Sequence, residues 1–309
     1  MSLTVQVVLT GLSAGGVYGL IAIGHTLIYR LTGIVHFALG DLVGLGAFTT
    51  LLVVAGTAPL TSESVSGPRM LLGVGVGFGV CLAAGIAGYL LVVQPYLAAR
   101  SPIGWIAATL ALGFAIRAAL DAVFSRSAYV FPDPFPFRRL GNDGVVSVLG
   151  ARVHVRAFAV LGVAVLLAAA ASWALKSTRF GRGLRAVVAD DDAAGMMGVD
   201  VERMRALAFG LAGGIAALAV VVAAPGAPFE TGSGALLGLK GLVAAVIARF
   251  AGLWSAFAAG LALGVGEAAV GSGALDWIGL GADYREVVPI AIALALLALR
   301  PTFGRTAVE

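Results

Sequence analysis

Charge is scarce in this chain. Asp, Glu, Lys and Arg make up 12% of its 309 residues, against about 25% in soluble globular domains. With 60% of residues hydrophobic and a mean hydropathy of +1.02, a water-soluble fold is excluded. Cysteine is almost absent, and a lone Cys81 inside an apolar run permits neither an intrachain disulfide nor a thiolate metal site. It reads as a small packing residue. Sustained polar and apolar alternation is missing too, which excludes a transmembrane β-barrel. No lysine or arginine precedes Arg30, so the start lacks the basic region of a signal peptide, and the first helix is expected to remain in the mature protein. There is no GxxxxGK(S/T) phosphate loop, which argues against ATP hydrolysis by this chain. His25 and His36 have no carboxylates at matched spacing and lie near helix ends, so no metal site is expected. The formal charge of +4 would suggest nucleic acid in a soluble protein. Here loop arginines that orient membrane helices account for it.

Small and apolar residues are abundant instead. Forty-four glycines suit helices packed backbone to backbone, the device that replaces the hydrophobic effect in lipid. Uncharged runs of spanning length occur at Met1 to Tyr29, Leu42 to Ser62, Met70 to Ala99, Ala157 to Leu175 and Ala206 to Phe229. Ile103 to Phe124 also spans but carries Arg117 and Asp121, while Leu236 to Ala248, Leu253 to Val270 and Tyr284 to Arg300 are shorter or interrupted. The expectation is an all-α, multi-pass membrane protein: a single transmembrane domain over 1–309, with about eight to nine segments, one or two of them half-helices. A weak internal repeat runs through it. A Gly-rich helix, a polar break and a second Gly-rich helix occur at Gly11 to Tyr29 and on from Phe37, and again at Ala206 to Ala224 and on from Gly234, a plan common in transporters.

One stretch differs from everything around it. Lys176 to Arg205 holds six basic and five acidic residues, 11 of the chain's 36 charges in 30 residues, and must lie in water. Asp190, Asp191 and Asp192 offer caps to a short helix, Ala193 to Met197, that Gly198 can close, and Asp200 caps the next helix. Ala193, Ala194, Met196 and Met197 are available for contact, which makes the stretch a docking element. A solvated loop with ordinary caps is the plainer alternative, and it also covers the tri-Asp run, since no calcium-loop pattern surrounds it. With this stretch in the cytoplasm and sides alternating, 11 basic residues flank the cytoplasmic side and 7 the outer side. That bias predicts an outside N-terminus and a cytoplasmic C-terminus. It also makes residues 125–156 an extracytoplasmic loop, whose YVFPDPFPF run is extended by its prolines and carries interfacial aromatics.

Ionisable groups at membrane depth are costly, so each is a candidate for function. Lys240 and Glu267 read as pathway residues or as a structural ion pair with each other. Asp41 reads as a pathway residue or as a first-turn carboxylate that meets the helix dipole. Thr109 offers a hydroxyl to a polar substrate or back to its own helix. Arg117 and Asp121 stand four residues apart and are expected to pair.

Several of these stretches together resemble a known family. GLSAGGVYGLIAIGHTLIYRLTGIVHFALGDLVGLGAF (Gly11 to Phe48), RSPIGWIAATLALG (Arg100 to Gly113), TRFGRGLRAVVADDDAAGMMGVDVERMRALAF (Thr178 to Phe209), GLKGLVAAVI (Gly238 to Ile247) and LGVGEA (Leu263 to Ala268) resemble the permease subunits of branched-chain amino acid ABC importers, most closely the LivH type. The resemblance implies an inner-membrane permease without catalysis or cofactor of its own. Its partners would be a second permease, two cytoplasmic ATPase subunits that bind ATP, and an extracytoplasmic binding protein. It makes residues 176–205 the coupling loop, in which Arg182, Arg185, Asp190, Asp192, Ala193, Ala194, Met196, Met197 and Gly198 meet an ATPase subunit. The pathway candidates are Asp41, Thr109, Lys240 and Glu267. The chain departs from the family at His36, where an amide is usual, at Leu39, where histidine is usual, and at Asp41, where glutamate is usual. After Ile247 it reads ARFAGLWSAF where the family is Gly-rich, and bulk there is expected to obstruct helix approach. The alternatives are a permease for another small polar solute such as urea or an amide, a stand-alone transporter or channel coupling ions through Asp41, Lys240 and Glu267, and a non-transporting scaffold.

Overall fold

The computed structural model describes residues 2–56, 65–99, 103–124, 128–131, 144–148, 150–224 and 228–273, with isolated positions between 284 and 295. The expected segment Tyr284 to Arg300 and most of the Pro-rich loop lie outside this set. Helices dominate because every backbone polar group in lipid must be satisfied within its own segment. They are α1 (Ser2–Thr32), α2 (Leu39–Ala55), α3 (Gly67–Gly88), α4 (Gln94–Ala98), α5 (Gly104–Val123), α6 (Val155–Ser177), α7 (Arg179–Ala189), α8 (Asp191–Met196), α9 (Val201–Ala223), α10 (Ser233–Ile247) and α11 (Leu253–Gly271). Six helical stretches among the described residues are long and apolar enough to cross a membrane, and α2 and α10 are shorter apolar helices. A π-helical turn, Tyr89–Val93, joins α3 to α4. It lies just before Pro95, whose missing N–H leaves a carbonyl to be accommodated in this way.

The body is built from two inverted units, α1–α2–α3 and α9–α10–α11. α1 packs chiefly on α11 and α9 chiefly on α3, while α1 also meets α9 and α2 meets α10. Exchanging the two units reproduces the same set of neighbours. They run in opposite senses, because Arg205 near the start of α9 donates to the Leu31 carbonyl at the end of α1 (3.2 Å). Likewise Gly40 abuts Gly238 while Gly44 abuts Gly234. The repeat expected from two Gly-rich helix pairs is therefore an inverted one, extended by a third helix in each unit.

α2 corrects one reading. An uncharged run at Leu42 to Ser62 suggested a full span, but the helix has 17 residues, about 25 Å at 1.5 Å per residue and short of a ~30 Å hydrocarbon core. After α1 ends, residues 33–38 turn back into the body with Ile34, His36 and Ala38 buried. α2 thus begins beside Gly24 and Gly238 rather than at a surface. Non-helical backbone is tolerated at such depth only when protein surrounds it. α10, with 15 residues, is its counterpart.

At the end of the body away from α7 and α8, two short antiparallel pairs form, β1 (Tyr129–Val130) with β4 (Pro228–Phe229) and β2 (Val145–Val148) with β3 (Ala151–His154). They help to place four rings, Phe124, Tyr129, Phe131 and Phe229, around the fully buried Phe48, with centroids 4.7–6.0 Å away. The described aromatics of the Pro-rich run thus pack inward as a plug.

The bulky ARFAGLWSAF stretch does not hold helices apart. Arg249 and Phe250 adopt left-handed φ values of 56° and 52°, a conformation costing ~1–2 kcal/mol per non-glycine residue. Phe250 is buried and stacks on Tyr29 with centroids 4.0 Å apart. Trp254 donates to the Ser172 hydroxyl (3.2 Å), and α11 still reaches its closest packing against α1. The bulk is accommodated by turning sideways onto α1 and α6.

Candidate functional site

The polar segment forms a knob of two helices. α7 opens with the Thr178 hydroxyl accepting from the Gly181 amide (3.0 Å). Its inward residues Leu184 and Val187 join Leu27 and Leu31 of α1, Ala194 of α8 and Ala208 of α9 in a small second core. Each large apolar side chain buried there contributes about 1.5–3 kcal/mol. α8 is capped by Asp190, whose carboxylate accepts from the Ala193 amide (2.9 Å). It is closed by Gly198 at φ +86°, with the Val199 amide donating to the Ala194 carbonyl (3.0 Å), the Schellman arrangement that glycine favours. Asp200 caps α9 through the Arg203 amide (3.0 Å).

Two consequences follow for the expected contact residues. Ala194 is fully buried in the second core, so it fastens the knob to the body and is not a surface for a partner; the expectation for it is corrected. Met196, two residues on and about 200° around the helix, is 85% exposed, and Met197, the C-cap that follows it, is 75% exposed. Arg182 and Asp192 are also exposed and Ala193 is half-buried. Arg185 turns back on α6, donating to the Leu175 and Lys176 carbonyls.

Arg205 was not singled out by sequence reasoning, yet it ties the knob to the spans. It donates to Asp191 on α8 (2.6 Å), to Glu202 on α9 (3.0 Å) and to the Leu31 carbonyl of α1 (3.2 Å). Glu202 in turn accepts from the Tyr89 hydroxyl (2.6 Å) at the π-helical turn. A displacement of α8 therefore reaches α1, α9 and the end of α3 through direct bonds. Only its spacing from Glu202 was visible in the sequence, because Asp191 and Leu31 come from other elements.

At depth, Lys240 and Glu267 pair at 2.9 Å, 4% and 7% exposed. Tyr18 donates to the other Glu267 oxygen (2.9 Å), and its ring lies 5.3 Å from the ammonium. This buried pair is fully engaged, as the structural reading of those two residues expected. Thr109 is buried and donates to the Ile106 carbonyl of its own turn (3.1 Å), so it offers its hydroxyl to its helix and not to a pathway. Arg117 corrects another expectation. Its partner is Asp41 on α2 (2.9 Å), not Asp121, which is exposed. Gly113 makes room for this pair, since a Cβ there would run into the Asp41 carboxylate.

The Asp41–Arg117 pair borders a cavity of about 140 Å³ where the first turns of α2 and α10 approach α5. His25 lines it too, a residue set aside on sequence grounds because it lies near a helix end. The re-entrant start of α2 brings membrane depth to that end of α1. Its Nε2 bonds the Gly238 carbonyl (3.2 Å) while Nδ1 has no partner among the described residues. His36 is also buried without a hydrogen bond among the described residues and packs on Phe209.

This architecture of inverted units, paired half-helices and a polar knob is accompanied by a family match. The family described as "Branched-chain amino acid transport system / permease component" matches residues 7–297. The chain belongs to this family. The permease is 28% identical to the high-affinity branched-chain amino acid transport system permease protein BraD of Pseudomonas aeruginosa, over 98% of this chain and 97% of that protein. It is 25% identical to LivH of Escherichia coli, a permease protein of the same description, over 98% and 96%. A probable branched-chain amino acid transport permease of Methanocaldococcus jannaschii is 25% identical over 94% and 88%. No solved structure matches significantly. The permease is thus a multi-pass membrane protein of an all-α architecture.

Proposed function

We propose that the permease is the membrane-spanning subunit of an ABC importer that carries branched-chain amino acids into the cytoplasm of a bacterial cell, across its inner membrane. The full-length likeness to permeases named for that cargo supports the substrate. The observation that carries the mechanism is the knob, with a pair of exposed methionines at its tip and Arg205 bonded to α8, α1 and α9 at its base. Two partner ATPase subunits bind and hydrolyse the ATP, a second permease completes the membrane part, and an extracytoplasmic binding protein delivers substrate. Met196, Met197, Arg182, Asp192 and Ala193 meet an ATPase subunit. Asp190, Arg185 and Gly198 shape the knob, and Ala194 anchors it. The knob lies in the cytoplasm, the N-terminus and residues 125–156 lie outside, and the C-terminus is cytoplasmic. Asp41 belongs to the pathway, whereas Lys240 and Glu267 hold helices together.

Reconstitution with the partner subunits tests this reading. Leucine uptake into proteoliposomes should require ATP, and uptake by the permease alone under an ion gradient would instead make it a self-sufficient transporter. Met196→Ser with Met197→Ser is expected to lower ATP-driven uptake about tenfold or more, as for a lost anchor of ~1.4 kcal/mol. Stability should stay within ~0.5 kcal/mol, because both side chains are on the surface. Full uptake by this double variant would remove the docking role of the tip.

A further inference from the structure

We propose that the cavity between α2, α5 and α10 is a binding site for the head group of a zwitterionic amino acid, with Arg117 taking its carboxylate and Asp41 and His25 its ammonium. This rests on the importer reading above and assigns that cargo a place in the fold. Of the three residues the sequence offers only Asp41 for the pathway, because they come from three helices and Arg117 and Asp41 are 76 positions apart.

The first observation is how the ion pair is made. Arg117 directs both Nε (3.3 Å) and Nη2 (2.9 Å) to a single carboxylate oxygen, Oδ1 of Asp41. A guanidinium has five N–H donors in a planar fork suited to a carboxylate. Among the described residues it has no other hydrogen-bond partner, so donors remain for a second carboxylate. The pairing is that of two groups that can each take a further charged partner.

The second is His25. Its Nε2 faces a carbonyl, which can only accept, so Nε2 carries the proton in that bond. A neutral ring with that tautomer leaves Nδ1 as an acceptor, and Nδ1 is buried with no partner among the described residues. An unsatisfied buried acceptor is unfavourable unless something supplies a donor. His25 lines the cavity, and a small shift of its ring on substrate entry would present Nδ1, closed off in this structure, to an ammonium group there.

The third is the distribution of polarity. Asp41 and His25 are buried, whereas the wall residues Phe37, Leu110, Phe114 and Leu239 are exposed. A cavity of ~150 Å³ takes about six heavy atoms, and this one, at about 140 Å³, has room for a zwitterionic head. The side chain then projects past the exposed apolar residues, a surroundings suited to an aliphatic chain. The first turns of α2 and α10 both border the cavity through Asp41 and Ala235. Their positive ends favour an anionic group as they do where half-helices meet in other transporters. A small uncharged amide would leave both charged residues without use.

Phe114→Cys, or Leu239→Cys should the first variant fold poorly, places a thiol at the mouth while the native Cys81 is buried. In membranes holding the full chain, saturating leucine is expected to slow alkylation of that thiol several-fold. Isoamylamine and 4-methylpentanoate, which each lack one charge, should not. Adding Asp41→Leu with Arg117→Met removes both charges together and is expected to abolish protection. It should also cut ATP-driven leucine uptake roughly tenfold or more, the scale of one charge-assisted hydrogen bond, while the melting temperature stays within a few degrees. Equal protection by all three compounds, protection by none, or full uptake by the apolar double variant would overturn the site. In that case ATP-driven uptake by the unsubstituted permease would leave the importer reading standing. Absence of such uptake would overturn the importer reading and this site with it.

Discussion

A permease carrying Lys240→Met is expected to lose about 3–5 kcal/mol of stability, because removing one partner of a buried ion pair leaves the other charge uncompensated. Glu267 would keep the Tyr18 hydroxyl at 2.9 Å and a distant Arg285 at 3.8 Å, whose side chain is 57% exposed. Neither replaces an ammonium 2.9 Å away in a 7% exposed setting. The pair joins α10 to α11 and, through Tyr18, both to α1, so its loss loosens the second unit as a whole. Lys240→Met combined with Glu267→Met is expected to recover most of that loss, since apolar replacement of a whole buried pair is often neutral or stabilising. Thermal unfolding in detergent measures both, and uptake in proteoliposomes should follow stability. A single variant that melts normally yet fails to transport would move Lys240 into the pathway.

Gly264→Leu is expected to prevent accumulation of folded permease. A Cβ at this position of α11 would strike the Gly15 and Gly11 backbone of α1, and backbone cannot move aside as a flexible side chain can. The two helices would have to separate along an interface where close approach supplies the packing energy in lipid. Even Gly264→Ala should cost at the upper end of the ~1–3 kcal/mol typical of overpacking. Gly266, two residues on, has open space where its Cβ would stand. Gly266→Ala should therefore be neutral or stabilise by up to ~1 kcal/mol through helix propensity. Yield of folded permease reads out Gly264→Leu, and denaturant titration of the two alanine variants separates steric contact from any general effect of altering a glycine in α11. Similar losses at 264 and 266 would contradict the packing described.

What the sequence made legible was local or compositional. Hydropathy located the long spans, and caps located α8, from Asp190 through Gly198, within a residue or two. Two Gly-rich helices separated by a break, met twice, point weakly to a repeat, while its inversion and the third helix of each unit show only in the packing. The Lys240–Glu267 pair could be anticipated because few other charges lie at that depth. Arg117 was assigned to Asp121 by the i, i+4 rule, which sees one helix only, while its partner is reached by the re-entrant start of α2. The same re-entry put His25 beside α10 and made a 17-residue helix out of a run long enough to span. Ala194 looked like contact surface because composition does not report which side of a six-residue helix faces the body. α7 is not legible for a related reason: its inward Leu184 and Val187 share an 11-residue helix with three arginines, and only the core beneath them shows which face they serve.

Coupling to an ATPase requires the knob to face the cytoplasm. Met197→Cys places a thiol on its exposed tip, with Cys81 buried elsewhere, so a membrane-impermeant maleimide reports the side directly. The permease is expected to be labelled in inside-out vesicles and protected in intact cells. Labelling from outside in intact cells would contradict the topology and, with it, the coupling of this chain to a cytoplasmic motor.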